Sequence, residues 1–208
     1  MSHLRFLLPF LLLSGALSAQ GIQFEHTTFA EALNKAKTEN KLLFMDAFTT
    51  WCGPCKMLTN QTFPDSAVGA YFNEHFVSLK MDMEKGEGIE LARKYGVEVY
   101  PTLLFFQPDG IVAHRAAGFY PAAQFLQLGE TAQDPKRNLY ALETRYRSGD
   151  RDRPFLRQLI DARAAAYDPR AAALAGEYLD QETDLNTPEN KQIILRFAND
   201  PTSKAFKF

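Results

Sequence analysis

Cysteine is scarce in this chain. Its 208 residues include two, and both fall in one hexapeptide, Trp51-Cys52-Gly53-Pro54-Cys55-Lys56. A closed zinc site needs four ligands, and there is no second cysteine pair to supply the rest. The four histidines, His3, His26, His75 and His114, are scattered without ligand spacing, so no metal is expected. Tryptophan occurs once, directly before the first cysteine. The formal charge is only −2, and neither a basic cluster nor an acidic tail stands out. That removes a general attraction to nucleic acid or to an anionic membrane. The apolar run near the start is too short for an ordinary spanning helix. What is present, 46% hydrophobic and 23% charged residues, suits a soluble globular protein of one or two domains.

A Cys-x-x-Cys pair can close a small disulfide, supply half of a metal site, or sit in a core as two inert thiols. The flanking sequence favours the first. Upstream, Lys41 to Phe48 is an apolar run of strand length interrupted by one acid, Asp46. Downstream, Lys56 to Asn60 reads as the opening of a helix. The pair therefore lies at a strand-to-helix turn, where unpaired amide N–H groups and the helix dipole stabilise a thiolate on Cys52. Thiolate is the nucleophile of disulfide exchange. The metal reading lacks ligands, and the inert-thiol reading leaves Gly53-Pro54 without a purpose.

These residues carry a resemblance. Trp51 to Lys56 is similar to the active-site motif of the thioredoxin family, and further matches follow in order. Asp46, six residues before Cys52, stands where that family has a buried acid. Lys80-Met81-Asp82-Met83-Glu84 resembles its central strand, and Tyr95 to Thr102 resembles the segment with its cis-proline, here Pro101. Asp109-Gly110 and Gly118 match the last hairpin. The likeness spans roughly residues 24 to 132, about one domain of 100 residues. It implies a thioredoxin-like α/β fold and a thiol:disulfide oxidoreductase without bound cofactor.

Role by role, the resemblance makes Cys52 the attacking thiol, expected to be the more exposed of the pair, and Cys55 the resolving one, the two forming a redox-active disulfide. The competing reading, an inert structural disulfide, would constrain very little chain. Asp46 would accept the Cys55 proton and Lys80 would pair with Asp46; the plain alternative is a solvated pair at a strand end. Pro101 would follow a cis bond that lays the Tyr100 backbone beside the cysteines; the alternative is a trans turn proline. Trp51, Gly53 and Pro54 would support the motif, with Trp51 alternatively a core aromatic. Phe48 and Thr50 replace the usual Trp and acid, Gly86-Glu87-Gly88 extends a loop, and Tyr100 is large. These departures point to a specialised exported relative.

Residues 1–20 have the layout of a secretory signal peptide: His3 and Arg5, an apolar run Phe6 to Leu13, then small residues to Ala19. Export to a periplasmic or secreted location follows, with an uncleaved membrane anchor as the alternative. Residues 21–133 are expected to form the thioredoxin-like domain. Thr28 to Glu31 reads as a capping box opening a helix to Asn40, and helices are also expected from Pro64, around Ile89 to Ala92, and from Pro121. Strands are expected at 41–48, 76–83, 102–106 and 111–116, alternating with those helices.

Residues 134–208 read differently, as an all-α extension. Four helical faces are legible: Leu139, Leu142, Tyr146; Phe155 to Ala164; Ala172 to Leu179; and Ile193, Ile194, Phe197. They resemble a helical-repeat array or a small cap, and no fixed period names one. Pro201 to Phe208 end without a finishing element, which leaves open a piece of a longer protein. The expected partners are protein thiols or disulfides and an upstream redox partner. The competing functions are an adaptor whose helices recognise a partner, and a metal chaperone, which lacks a third ligand. Gly53-Pro54 and Asp46 favour a reductase, although direction is set by potential and partner.

Overall fold

A computed structural model describes residues 21–197. The expected signal segment lies outside them. The first elements are a short strand, β1 (Phe24–Glu25), and helix α1 (Phe29–Glu39). The capping box is formed: the Thr28 hydroxyl accepts the Glu31 N–H, and Glu31 accepts the Thr28 N–H at 3.1 Å. Two donors that the helix start would leave unpaired are thereby satisfied. Strand β2 (Leu42–Phe48), helix α2 (Gly53–Met57), a π-helical turn (Leu58–Thr62), helix α3 (Ser66–His75) and strand β3 (Phe76–Asp82) follow. Next come α4 (Glu87–Tyr95), β4 (Thr102–Phe106), β5 (Val112–Ala117) and α5 (Ala122–Gln133).

The five strands form one sheet in the order β1-β3-β2-β4-β5. β3 runs parallel to β1 and β2, while β4 is antiparallel to β2 and β5. Helices cover both faces, so alternate residues of β2 enter different cores. Leu43, Met45 and Ala47 join Phe29, Ala32 and Leu91 on the α1/α4 face. Phe44 points the other way into a phenylalanine cluster, with Phe72 stacked on Phe125 at 4.6 Å and Phe44 edge-on to Phe72 at 5.2 Å. By the same alternation Asp46 belongs to the Phe44 face. The acid is thus carried into the interior by a strand whose other residues require burial.

Two sequence expectations need correction. The lead-in before α1 contains β1, paired with β3 at Phe24–Ser78; two residues are too few to show a period. Gly86-Glu87-Gly88 is not wholly a loop, because α4 begins at Glu87. A Cβ on Gly88 would lie 2.0 Å from the Asp82 carbonyl oxygen. This glycine permits close approach of helix and strand rather than a turn.

Helices α6 (Leu139–Arg147), α7 (Arg153–Ala165), α8 (Arg170–Leu179) and α9 (Pro188–Phe197) complete the described residues. They bury a separate core of Leu142, Phe155, Leu159, Ile160, Leu174, Tyr178 and Ile193. Arg163, buried in α7, ties this layer to α6 through two bonds to Glu143, at 2.9 and 3.1 Å. α6 and α7 also pack on β5, the strand at one sheet edge. There the buried His114 accepts the Leu139 N–H at Nδ1, 3.1 Å, and so closes the first turn of α6 from the sheet side. Among the described residues no helix is long and apolar enough to cross a membrane.

Candidate active site

Cys52 and Cys55 meet where β2 gives way to α2. Cys52 is the N-cap of α2, with extended backbone, and Pro54 fills the first turn, where its missing N–H costs nothing. The two sulfurs form a disulfide with Cα atoms 5.3 Å apart. The Cys55 N–H donates to Cys52 Sγ at 3.1 Å, so a donor already faces the sulfur that would carry charge once the bond opens. The expected difference in exposure is absent: Cys52 is 3% exposed and Cys55 4%. Both side chains lie under the surface, because the closed bond draws the N-cap sulfur in against the helix.

Asp46 is completely buried on β2, six residues before Cys52 in the chain. Its two oxygens have no hydrogen-bond partner among the described residues. Lys80, its register partner on β3, approaches to 3.6 Å. Burial pushes the Asp46 carboxyl up to about 6, and the Lys80 charge only partly opposes that. The ammonium itself is occupied elsewhere, donating to Thr59 Oγ1 at 2.8 Å and lying over the Phe48 ring at 4.9 Å. The pair is therefore not a solvated strand-end pair. It is a buried acid that gains and loses a proton near neutrality, beside a cation held by the π-helical turn.

Trp51 is 63% exposed, which removes the core-aromatic reading. Its indole N–H donates to both carboxylate oxygens of Glu84 at 3.0 Å, and its ring stands edge-on to Tyr100 at 5.9 Å. The Tyr100–Pro101 peptide is cis. Antiparallel pairing puts Thr102, the next residue, opposite Ala47. The structure thus brings Trp51 to the Tyr100 loop, and Lys80 to Asp46. Glu84 and Thr59 belong to these contacts and were not among the residues singled out from sequence. Glu84 stood in the Lys80–Glu84 stretch likened to the family's central strand; that strand, β3, ends at Asp82 and lies beside the central β2, and no spacing rule links an acid to an indole 33 positions away.

A thioredoxin-type sheet with a cysteine pair capping the helix after its central strand defines the class of protein. The chain belongs to the thioredoxin-like domain family, whose model matches residues 29–133. It is similar to a solution structure of a provisionally assigned disulphide-isomerase from Bacteroides thetaiotaomicron. That match has 55% identity and a TM-score of 0.50, covering 56% of this chain and 98% of the other. It is 30% identical over 104 residues to a thioredoxin of Mycoplasmoides gallisepticum, covering 50% of this chain and 97% of that one. It is also 35% identical over 95 residues to the thiol:disulfide interchange protein DsbD of Yersinia pestis, over 44% of this chain. The match spans only 16% of that DsbD's length.

Proposed function

We propose that this protein is an exported thiol:disulfide oxidoreductase, running mainly as a reductase of protein disulfides. The observation that carries the reading is the Cys52–Cys55 disulfide capping α2, the helix that follows the strand carrying the fully buried Asp46. In the reduced protein the Cys52 thiolate attacks a substrate disulfide. A mixed disulfide forms, and one substrate thiolate leaves. Cys55 then gives its proton to Asp46 and attacks Cys52 Sγ, which releases the second substrate thiolate. Two electrons pass to the substrate and the protein is left as its disulfide, to be reduced again by an upstream dithiol partner. Asp46 suits the proton step because its carboxyl titrates at about 6, close to working pH. Trp51, next to Cys52 in the chain, and the Tyr100–Pro101 segment, whose tyrosine ring Trp51 touches, would receive the substrate chain. Lys80 would stabilise the ionised acid.

The family and the relatives named for disulfide exchange support the chemistry. Export rests on the signal-like residues 1–20, and sequencing the N-terminus of the mature protein from host fractions tests it. The chemistry is tested by turnover of insulin disulfides with dithiothreitol as donor. Wild type should turn over, Cys52→Ser should be inactive, and Cys55→Ala should accumulate a mixed disulfide that dithiothreitol releases. An active Cys52→Ser protein would sink the assignment. Mixed disulfides isolated from the host with Cys55→Ala identify the natural substrates.

A further inference from the structure

We propose that Thr59, carried on the π-helical turn, is a positioning residue for the resolving step: it holds the Lys80 ammonium short of full contact with Asp46 and so sets how readily that acid takes up a proton. The proposal deepens the disulfide-exchange reading above and rests on it for the step concerned.

The ammonium has two polar partners among the described residues. It donates to Thr59 Oγ1 at 2.8 Å and stands 3.6 Å from Asp46 Oδ2. The first distance is that of a formed hydrogen bond. The second is well beyond the roughly 2.7–2.9 Å of an ammonium bonded to a carboxylate. Its other neighbours are aromatic: the rings of Phe48, Phe63 and Phe24 are centred 4.9, 5.4 and 5.7 Å from Nζ. A cation is favoured over such rings, so they keep the side chain in place without choosing between acid and hydroxyl. The hydroxyl makes that choice.

The turn that carries Thr59 is a fixed platform. Leu58, Thr62 and Phe63 are buried, and the Phe63 N–H reaches back to the Leu58 carbonyl at 2.8 Å. Thr62 Oγ1 donates to the Tyr120 carbonyl at 2.6 Å. Turns of this kind are frequent at functional sites, and this one directly follows the helix that Cys52 caps. Thr59 itself is exposed, so packing does not demand it. Lys80 is the one charged group acting on Asp46 among the described residues. The acid's register partner on β4 is Leu103, and its face of the sheet is otherwise lined by Leu58 of the π-helical turn, Phe72 of α3 and Phe125 of α5. Once the disulfide opens, the Cys55 thiol is the further titrating group of the step. A displacement of the ammonium is therefore felt by Asp46 without a competing charge.

The test is a pH titration of the Asp46 carboxyl carbon by NMR in the full-length oxidised protein, where the cysteines are paired and do not titrate. Asp46→Asn assigns the signal. Thr59→Val removes the hydroxyl at nearly constant shape and leaves Asp46 as the ammonium's one polar partner. With the gap closed to bonding distance, the midpoint should fall by roughly half to one pH unit. Thr59→Ser should keep the wild-type midpoint, and in a Lys80→Met background Thr59→Val should move nothing. In the reduced protein, stopped-flow exchange should show the pH of half-maximal mixed-disulfide release falling in Thr59→Val along with the carboxyl midpoint. An unmoved or raised midpoint in Thr59→Val, a Thr59→Ser protein that behaves like Thr59→Val, or the same shift without Lys80 overturns the proposal. A carboxyl midpoint that falls while the release profile stays put also overturns it, by removing Thr59 from the resolving step. A wild type unable to exchange disulfides would refute the redox reading, while the carboxyl titration would still report whether Thr59 holds Lys80 off Asp46.

Discussion

At the residue scale the buried acid dominates. Asp46 has a folded carboxyl near 6 against 3.8 when free, so the native state holds its proton more tightly than the unfolded chain does. Ionising it costs stability, and the cost is full above about pH 6 and gone below 3.8. Asp46→Asn should therefore raise the unfolding free energy at pH 7.5 by on the order of 2–3 kcal/mol, and by little at pH 4. Urea melts at both pH values check this. The same substitution should slow release of the mixed disulfide near neutral pH, read by stopped-flow exchange; unchanged kinetics would make Asp46 purely structural. Trp51 offers a second probe, because it is the only tryptophan. Glu84→Ala removes both acceptors of its indole N–H. Its emission should become less polarised, and an unaltered anisotropy would show that Glu84 does not hold the ring.

The elements pose a different question, since each helix is fixed as much at its ends as along its face. Thr28→Ala deletes the acceptor for the Glu31 N–H at the start of α1 and should cost about 1 kcal/mol. The more consequential end is that of α6, where the neutral His114 ring accepts a backbone N–H from Leu139. Burial pushes His114 down to about 4, against 6.5 when free. Here the unfolded chain binds the proton more tightly. The contribution is fully present above 6.5 and falls away as pH drops toward 4, opposite in sign to that of Asp46. His114→Gln keeps an acceptor but does not titrate. Relative to this variant, wild type should lose about 2 kcal/mol between pH 7.5 and 5 in urea melts. Parallel profiles would show that His114 is not protonated on unfolding.

For the whole molecule, the three cores divide the chain cleanly. The two clusters flanking the sheet draw on residues between Ile22 and Ala132, and the third on residues from Leu139 onward. We propose on this basis that residues 21–133 are a domain and residues 134–208 an extension. A protein of residues 21–133 should fold and reduce a small disulfide at nearly the full rate, since about 110 residues bury an adequate core. It should also be less stable than the full chain, because α6 and α7 no longer cover β5. Circular dichroism and insulin turnover decide it. A folded but inactive fragment would mean that the helices help build the site, against this division of labour.

Much of this was written locally. The cysteine pair, its strand-to-helix setting, the capping box of α1 and the apolar periods of α6 to α9 depend on neighbours a few positions apart, so the sequence alone determined them. Asp46 was conspicuous for the same reason, as an acid inside an apolar run. Contacts across long separations were decided only by tertiary structure. The sheet carried β1 beside β3, set Glu84 against Trp51, and brought His114 to the start of α6. The equal burial of Cys52 and Cys55 and the pairing of α6 and α7 with β5 belong to this second kind. Local patterning fixes which face of an element is apolar. Which faces meet depends on the packing of the whole chain, as where α6 and α7 settle on the edge strand β5.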